Sequence, residues 1–289
     1  MKKLAIVIGE PESINSEIIA KSWSKLDKIS KKKIFLIGNY ELLKKQLKII
    51  KKKLPLEKIS NVKTLSNKNK LQIIDIPFKF KKPFSFKEND SRKYVLKSLD
   101  FAHKLAFSKK ILGFINCPIN KRKVFKNSIQ GVTEYLSKKH KKQNNEVMFL
   151  YNKDISVVPL TTHISLKYVP KRISKQLILT KVNILNKYYK KIFKKKPKIA
   201  ILGLNPHNGE FKLNSEEKKI IIPAIKILRK TINISGPFSA DTIFLKTKYF
   251  DVIVGMYHDQ ILPSFKSLNN FKAINLTFGL NYLRGSPDH

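Results

Sequence analysis

The amino-acid sequence predicts an α/β fold in which helices cover both faces of a parallel sheet. Short apolar runs have the length and composition of buried strands, and amphipathic stretches with a helical period lie between several of them. This alternation is typical of parallel sheets with helices on both faces. With 289 residues, the chain is long enough for one large domain or two ordinary domains.

The predicted strands are apolar runs that end in polar or turn-forming residues. In chain order they are residues 4–8, 34–37, 71–76, 111–115, 155–160, 199–204 and 252–256. The predicted helices are residues 91–109, 173–193 and 215–230. The last of these begins at Ser215 and continues with two glutamates, which suit the positive end of a helix dipole. The polar stretches 51–70 and 79–90 predict loops.

The composition indicates a protein of the reducing cytoplasm. Apolar residues make up 42% of the chain, but no apolar stretch is long enough for a transmembrane helix. The apolar run at residues 4–8 is too short for a signal peptide and has no small-residue cleavage site. Cys117 is the only cysteine, which excludes an internal disulfide framework.

The chain is strongly basic, with 60 Lys and Arg against 20 Asp and Glu and a formal net charge of +40. This charge has two interpretations, nucleic-acid binding and a compositional bias toward lysine. Lysine runs at 31–33, 51–53, 138–142 and 194–196 are spread along the whole chain. A nucleic-acid-binding face is more often local and rich in arginine, so the pattern favours the bias. The charge can still attract phosphorylated small molecules.

Three of the six histidines lie in short polar motifs that come after apolar runs. His163, His207 and His258 follow the runs that end at residues 160, 204 and 256. Ligands of α/β proteins bind at the carboxyl ends of parallel strands, so three imidazoles there could hold one divalent metal. Each histidine alone is more often an ordinary loop residue, but the three motifs together favour a metal site.

A second group of polar residues indicates anion binding. Gly131-Val132-Thr133 precedes an apparent helix, whose free N–H groups could bind an anion, although an ordinary helix cap explains the pattern equally well. Lys266, Asn275 and Arg284 come after the His258 motif, and they could bind phosphate and carboxylate groups.

These motifs together resemble the 4-hydroxythreonine-4-phosphate dehydrogenase family of pyridoxal phosphate biosynthesis. The matching stretches occur in one order along the chain. They are PINK at 118–121, GVTEYL at 131–136, TTHISLKYVP at 161–170, LGLNPHNGE at 202–210, IIPAI at 221–225, SGPFSADTIF at 235–244, MYHDQ at 256–260 and NLTFGLNYLRGSPDH at 275–289. Several long motifs in the same order make the resemblance specific.

The resemblance implies a two-domain α/β/α fold like that of the isocitrate and isopropylmalate dehydrogenases. It implies an active site in the interdomain cleft, at the interface of a homodimer. We expect a first domain of residues 1–117 together with about 275–289, and a second domain of residues 118–274. The metal ligands of the family match His163, His207 and His258. Its substrate contacts match Thr133, Lys266, Asn275 and Arg284, and the cleft acids match Asp241 and Asp259.

The implied reaction is the metal-dependent oxidation of 4-hydroxy-L-threonine 4-phosphate by NAD or NADP. The product, 2-amino-3-oxo-4-phosphooxybutanoate, decarboxylates to 3-amino-2-oxopropyl phosphate. Lys266, Asp241 or Asp259 would serve as catalytic base or relay, and the residues alone do not decide between them. Histidine ligands favour Zn²⁺, with Mg²⁺ or Co²⁺ as alternatives. No Gly-x-Gly-x-x-Gly follows a predicted strand, so the cofactor rests on the resemblance.

The chain departs from the family pattern at three places. Val132 stands where the family has a substrate-binding histidine, and Ser13 and Asn15 replace two loop glycines. The chain also ends at His289, where other members continue. We therefore expect the fold and the metal site to be retained better than cofactor binding and turnover. Two alternatives remain open: a dehydrogenase of threonate or erythronate 4-phosphate, and a catalytically weakened member with a basic, nucleic-acid-binding surface.

Overall fold

The structure, a computed structural model, describes residues 3–64, 69–126, 129, 131–139, 146–270 and 272–287. Asp288 and His289, which end the last family motif, lie outside the described residues. The chain divides into two compact units, one of Met1–Leu136 with Asn281–Ser286 and the other of Ser137–Leu280 with Pro287–His289.

The regular elements are numbered here in chain order. The strands are β1 (Leu4–Val7), β2 (Ile34–Gly38), β3 (Leu56–Ile59), β4 (Leu71–Asp75), β5 (Gly113–Asn116), β6 (Val147–Tyr151), β7 (Ser156–Thr161), β8 (Ile199–Leu202), β9 (Ile234–Phe238), β10 (Val252–Tyr257), β11 (Ile274–Phe278) and β12 (Leu283–Pro287). The α-helices are α1 (Asn15–Lys25), α2 (Lys28–Lys31), α3 (Tyr40–Ile49), α4 (Glu88–Phe107), α5 (Lys121–Phe125), α6 (Val132–Lys139), α7 (Val169–Arg172), α8 (Lys175–Phe193), α9 (Ile222–Leu228) and α10 (His258–Asn269). Single 3₁₀ or π turns occupy Val62–Thr64, Leu166–Tyr168, Pro206–Phe211, Glu217–Ile221 and Ile243–Tyr249.

The first unit contains a parallel sheet with the strand order β3-β4-β2-β1-β5-β12. Helix α4 packs against β5 and buries Tyr94, Val95 and Leu99. This unit continues beyond the predicted domain boundary at residue 117. The reason is that the segment after β5 is bonded to α4: Arg92 Nε donates to the Val124 carbonyl at 2.9 Å, and Tyr135 Oη donates to Asp100 at 2.6 Å.

The second unit contains a mixed sheet with the strand order β11-β6-β7-β10-β8-β9. Strands β7, β10, β8 and β9 are parallel to one another, whereas β6 is antiparallel to both β7 and β11. The sequence predicts a parallel sheet only. The difference arises because only residues 152–155 join β6 to β7, which is too short for the crossover that parallel strands require.

The predicted strands and helices are all present, with ends shifted by a few residues. In α8, the predicted apolar stripe is buried at Ile178, Val182 and Leu185. The helix predicted from Ser215 starts with the π turn Glu217–Ile221, and Ser215 lies just before it, where its Oγ accepts the Lys218 N–H at 3.3 Å. Strand β3 lies in a stretch for which the sequence predicts a loop. No helix in the described ranges is long and apolar enough to cross a membrane.

Candidate functional site

The three candidate metal ligands follow three neighbouring strands of the second unit. Strands β7, β10 and β8 are adjacent and parallel, so their carboxyl ends lie at one edge of the sheet. His163 comes two residues after β7, and His258 is the first residue of α10, directly after β10. His207 lies in the turn Pro206–Phe211 that follows β8. The topology thus places all three histidines at the same edge of the sheet.

His163 and His258 form a neighbouring pair. Their ring centroids are 5.7 Å apart, with 39° between the ring planes. The Nδ1 atom of His258 lies 2.6 Å from Asp259 Oδ1. A carboxylate in this position favours the tautomer that carries its proton on Nδ1, so Nε2 keeps a lone pair for a ligand. Asp259 therefore orients the His258 ring.

His207 lies on an unusual backbone segment. His207, Asn208, Gly209, Glu210 and Phe211 have φ angles of 48°, 58°, 59°, 51° and 54°, all in the left-handed region. Residues other than glycine adopt this region rarely and at an energetic cost, and such residues cluster at functional sites. The surrounding contacts must therefore stabilise this turn.

Glu217 supplies the main contacts that hold the segment before this turn. Its side chain is fully buried, and Oε1 accepts the backbone N–H groups of Leu204 at 2.7 Å and Asn205 at 2.8 Å. The Asn205 amide donates to Glu217 Oε2 at 3.0 Å. Burial disfavours the charged carboxylate, but the hydrogen bonds from Asn205 and Leu204 outweigh that effect and lower the pKa of Glu217. An ionised carboxylate thus holds in place the residues that precede His207 in the chain.

Asn208 connects the same turn to the neighbouring strand. The side chain is buried, and its Nδ2 donates to the Pro237 carbonyl at 3.3 Å and to Ser239 Oγ at 3.5 Å. No donor in the described ranges reaches its Oδ1 atom. Gly203 makes room for this oxygen, because a Cβ at Gly203 would lie only 2.2 Å from it.

The donor set fits a borderline divalent metal, although the three ligands are not assembled. Within the described part of the chain, no three His, Cys, Asp or Glu side chains are grouped so that they could hold a metal ion. The structure brings His163 and His258 together and places His207 in the loop of the adjacent strand. Two imidazoles, one of them oriented by a carboxylate, are ligands that suit Zn²⁺.

The other candidates of the second unit are dispersed around this sheet. Asp241 is exposed in the turn after β9, and Lys266 is half-buried in the last turn of α10. Asn275 lies on β11, opposite Leu150 of β6. Its Oδ1 atom is buried, and no described donor is within hydrogen-bonding distance of it. Such an acceptor is costly unless a ligand or water supplies the donor.

Thr133 and Arg284 meet in the first unit. Arg284 Nη1 donates to Thr133 Oγ1 at 3.2 Å, and Thr133 lies in the first turn of α6, as the sequence predicts. Arg284 is buried, and its Nε and Nη2 atoms both donate to Asn116 Oδ1. Burial lowers the pKa of the Arg284 guanidinium to about 10, although the charge of Glu134 opposes this effect. At neutral pH the group remains a buried cation.

Three residues of these sites are absent from the sequence prediction. Asn116 directly follows the predicted strand 111–115, which is a signal that could have identified it. Glu217 was interpreted only as part of a helix start, and Asn208 only as part of a motif. Their roles depend on long-range contacts, which periodicity does not reveal.

Comparison with known proteins agrees with this architecture. The family model described as pyridoxal phosphate biosynthetic protein PdxA matches residues 30–289. A 4-hydroxythreonine-4-phosphate dehydrogenase of Sulfurihydrogenibium sp. is 38% identical over 296 residues, which cover 100% of this chain and 90% of the relative. One of Aquifex aeolicus is 36% identical over 294 residues, with 100% and 90% coverage. The crystal structure of the Klebsiella pneumoniae enzyme of that name superimposes with a TM-score of 0.86 at 27% identity, with 100% and 91% coverage. The chain therefore belongs to the PdxA family of pyridoxal phosphate biosynthetic proteins.

Proposed function

We propose that this chain is a 4-hydroxythreonine-4-phosphate dehydrogenase that oxidises the C3 hydroxyl of 4-hydroxy-L-threonine 4-phosphate. The observation that carries the proposal is the His163–His258 pair at the carboxyl edge of a parallel sheet, in a chain of this family. The product is 2-amino-3-oxo-4-phosphooxybutanoate, which decarboxylates to 3-amino-2-oxopropyl phosphate.

His163, His258 and His207 are the proposed ligands of one divalent metal, with Zn²⁺ favoured over Mg²⁺ or Co²⁺. When bound, the metal supplies a Lewis acid that lowers the pKa of the substrate hydroxyl and stabilises negative charge during loss of CO2. The proposed enzyme is a homodimer, in which one of the histidine ligands comes from the second copy of the chain. Asp259 keeps the His258 ring in its ligand orientation through the 2.6 Å hydrogen bond.

The substrate is held by charge and by hydrogen bonds. Arg284 and Thr133 are the proposed contacts of a substrate oxyanion, and the hydrogen bond that holds the guanidinium beside the start of α6 supports this role. Asn275 Oδ1, buried without a donor from the described residues, is a suitable acceptor for the substrate amine. Orientation by several such contacts can contribute several kcal/mol to the lowering of the barrier.

Proton transfer from the C3 hydroxyl needs a base near this site. Lys266 and Asp241 are the stronger candidates, because Asp259 already accepts from His258. The hydride that leaves C3 requires NAD or NADP as its acceptor. That cofactor is proposed from the family alone, and no residue of this chain is assigned to it.

The related four-carbon hydroxyacid phosphates are a second candidate substrate class. Val132 is buried at the start of α6, directly before Thr133, where the family pattern has a histidine. A valine cannot contribute a polar contact there, so a substrate without the amine, such as threonate or erythronate 4-phosphate, remains a competitor.

The test is formation of NADH or NADPH by the purified protein with Zn²⁺, Mg²⁺ or Co²⁺ added in turn. We expect 4-hydroxy-L-threonine 4-phosphate to have the highest kcat/KM among the three phosphates. Replacement of His163 or His258 by alanine should abolish both turnover and stoichiometric metal binding. Metal binding that is unaffected by both replacements would contradict the assignment of the ligands, and a preference for threonate or erythronate 4-phosphate would favour the second candidate.

A further inference from the structure

The interaction between Arg284 and Asn116 combines two hydrogen bonds on one acceptor. Arg284 Nε donates to Asn116 Oδ1 at 3.0 Å, and Nη2 donates to the same oxygen at 2.7 Å. Both side chains are 3% exposed, and they come from β12 and β5, which are parallel neighbours. Two bonds from a planar group to one atom restrict rotation of the guanidinium. The orientation of Arg284 is therefore determined by a residue of β5.

The orientation of the Asn116 amide is itself determined. Its Nδ2 donates to the Cys117 carbonyl at 3.2 Å, so Oδ1 is directed toward the guanidinium. The reverse amide orientation would place an NH₂ group against the donors of Arg284 and an oxygen against the Cys117 carbonyl. The hydrogen-bond pattern thus excludes it.

The remaining amino group of the guanidinium faces the start of α6. Arg284 Nη1 donates to Thr133 Oγ1 at 3.2 Å, in the first turn of that helix. This places the cationic group at the positive end of the α6 dipole, where anions bind favourably, and the Glu134 carboxylate of the same turn interacts with its charge. Asn116 thus aims Arg284 at the proposed substrate oxyanion.

We propose that Asn116 is a positioning residue, which orients Arg284 toward a substrate oxyanion without neutralising its charge. An aspartate at this position could accept the same two hydrogen bonds from Arg284, but it would cancel one positive charge at the site. Asparagine accepts them and leaves the pair with a net charge of +1. The inference rests on the proposed function, since that function assigns the oxyanion to Arg284 and Thr133.

The experiment measures binding of inorganic phosphate and of acetate to the full chain by isothermal titration calorimetry at two ionic strengths. The variants are Asn116→Asp, which keeps the acceptor and cancels the charge, and Asn116→Ala, which removes the acceptor and keeps the charge. Arg284→Ala tests whether the probe binds at this site. Asn183→Asp, on the exposed face of α8, is the matched control for one added negative charge.

We expect Asn116→Asp to weaken phosphate binding by about tenfold or more and to reduce its dependence on salt, since one cationic charge is neutralised. The Asn116→Ala variant should also bind phosphate more weakly, but its affinity should depend on salt as steeply as that of the unmodified chain. The phosphate affinity of Asn183→Asp should stay within about twofold of that of the unmodified chain, because exposed charges are screened. Comparison of the affinities for acetate and for phosphate shows whether the site binds any oxyanion or prefers phosphate.

Unchanged phosphate affinity in both Asn116 variants would overturn the proposal, and so would unchanged affinity in Arg284→Ala. If Asn116→Asp does not fold, as judged by its near-ultraviolet circular dichroism, Asn116→Ala decides the positioning role. The outcome is independent of dehydrogenase activity. A chain that shows the expected binding pattern but forms no NADH would refute the proposed reaction and leave the role of Asn116 intact.

Discussion

The hydrogen bond between His258 and Asp259 controls which nitrogen of the imidazole is available to a ligand. Asp259 is strongly exposed, so this contact adds little to the stability of the fold. Its effect is on the tautomer and orientation of the ring, and hence on the affinity of a metal that the ring binds.

We predict that Asp259→Asn weakens metal binding by about ten- to a hundredfold, because a carboxylate behind a histidine ligand fixes the ring and raises its basicity. Competition titration with Zn²⁺ or absorption titration with Co²⁺ measures the affinity. Asp154→Asn, in the exposed turn before β7, is the control for the loss of one negative charge. Equal affinities for the two variants and the unmodified chain would show that Asp259 does not act through His258.

The turn after β8 depends on Glu217, which is the first residue of the next turn along the chain. A buried carboxylate that accepts two backbone N–H groups and a side-chain amide holds the residues just before the left-handed segment. Glutamine keeps one oxygen that can accept the two backbone N–H groups, but it presents an NH₂ group to the Asn205 amide, and this group cannot accept the hydrogen bond that Oε2 accepts. The position of His207 therefore depends on a charge that the sequence pattern assigns only to a helix start.

We predict that Glu217→Gln lowers the free energy of unfolding by about 1–3 kcal/mol at pH 7, the cost of leaving buried donors without an acceptor. Urea unfolding measures this difference. Glu210→Gln, an exposed side chain paired with Lys212 in the same turn, should change it by less than about 0.5 kcal/mol. A similar loss in both variants would mean that charge alone, and not the buried contacts, explains the result.

The same carboxylate predicts an acid dependence. The pKa of Glu217 is lower in the folded chain than its ordinary value of 4.5. Its ionised form therefore stabilises the fold fully above pH 4.5, and this contribution is lost as the pH falls through the lower, folded pKa. We expect the stability difference between Glu217→Gln and the unmodified chain to shrink in this acidic range. A difference that stays constant from pH 7 to about pH 3 would contradict the lowered pKa.

Periodicity predicted the elements that form the centre of each sheet. The runs of β1, β2, β7, β8 and β10 are continuously apolar because both faces of a parallel strand are covered. The residues at the carboxyl ends of β7 and β10 could also be predicted, since polar residues directly follow the apolar run of each strand. In contrast, β3 contains the two adjacent polar residues Glu57 and Lys58, and its place in the sheet depends on pairing with β4.

The left-handed turn that carries His207 could not be predicted from local sequence. Only Gly209 among its residues favours a positive φ without strain. Glu217 holds the segment before the turn and lies 13 residues from its partner Leu204, and Asn208 within the turn is bonded to Pro237, which is 29 residues away. Likewise, the resemblance assigns Arg284 to the substrate, but only the pairing of β12 with β5 shows that Asn116 orients it.

The net charge of +40 creates a positive electrostatic field around the whole chain. Lysines spread over the sequence create a positive potential that reaches about one Debye length, roughly 10 Å at 0.1 M salt. A doubly charged phosphate ester is attracted by such a field before it makes any contact. A positive charge that arises from a compositional bias toward lysine can therefore still increase the rate at which the substrate binds.

We predict that kcat/KM for the phosphorylated substrate falls several-fold between about 20 mM and about 200 mM KCl, because salt screens the attraction that precedes binding. The decrease should appear mainly as a higher KM, since salt screens the chemical step less than it screens the approach of the substrate. The matched control is 4-hydroxythreonine, whose lack of a phosphate should leave its kcat/KM nearly independent of salt. If both substrates respond equally, salt acts on the protein itself and the field does not assist capture. A measurable affinity for duplex DNA at about 0.15 M salt that falls steeply as salt is raised would instead support the nucleic-acid interpretation, because the steepness of this fall increases with the number of phosphates that the protein contacts.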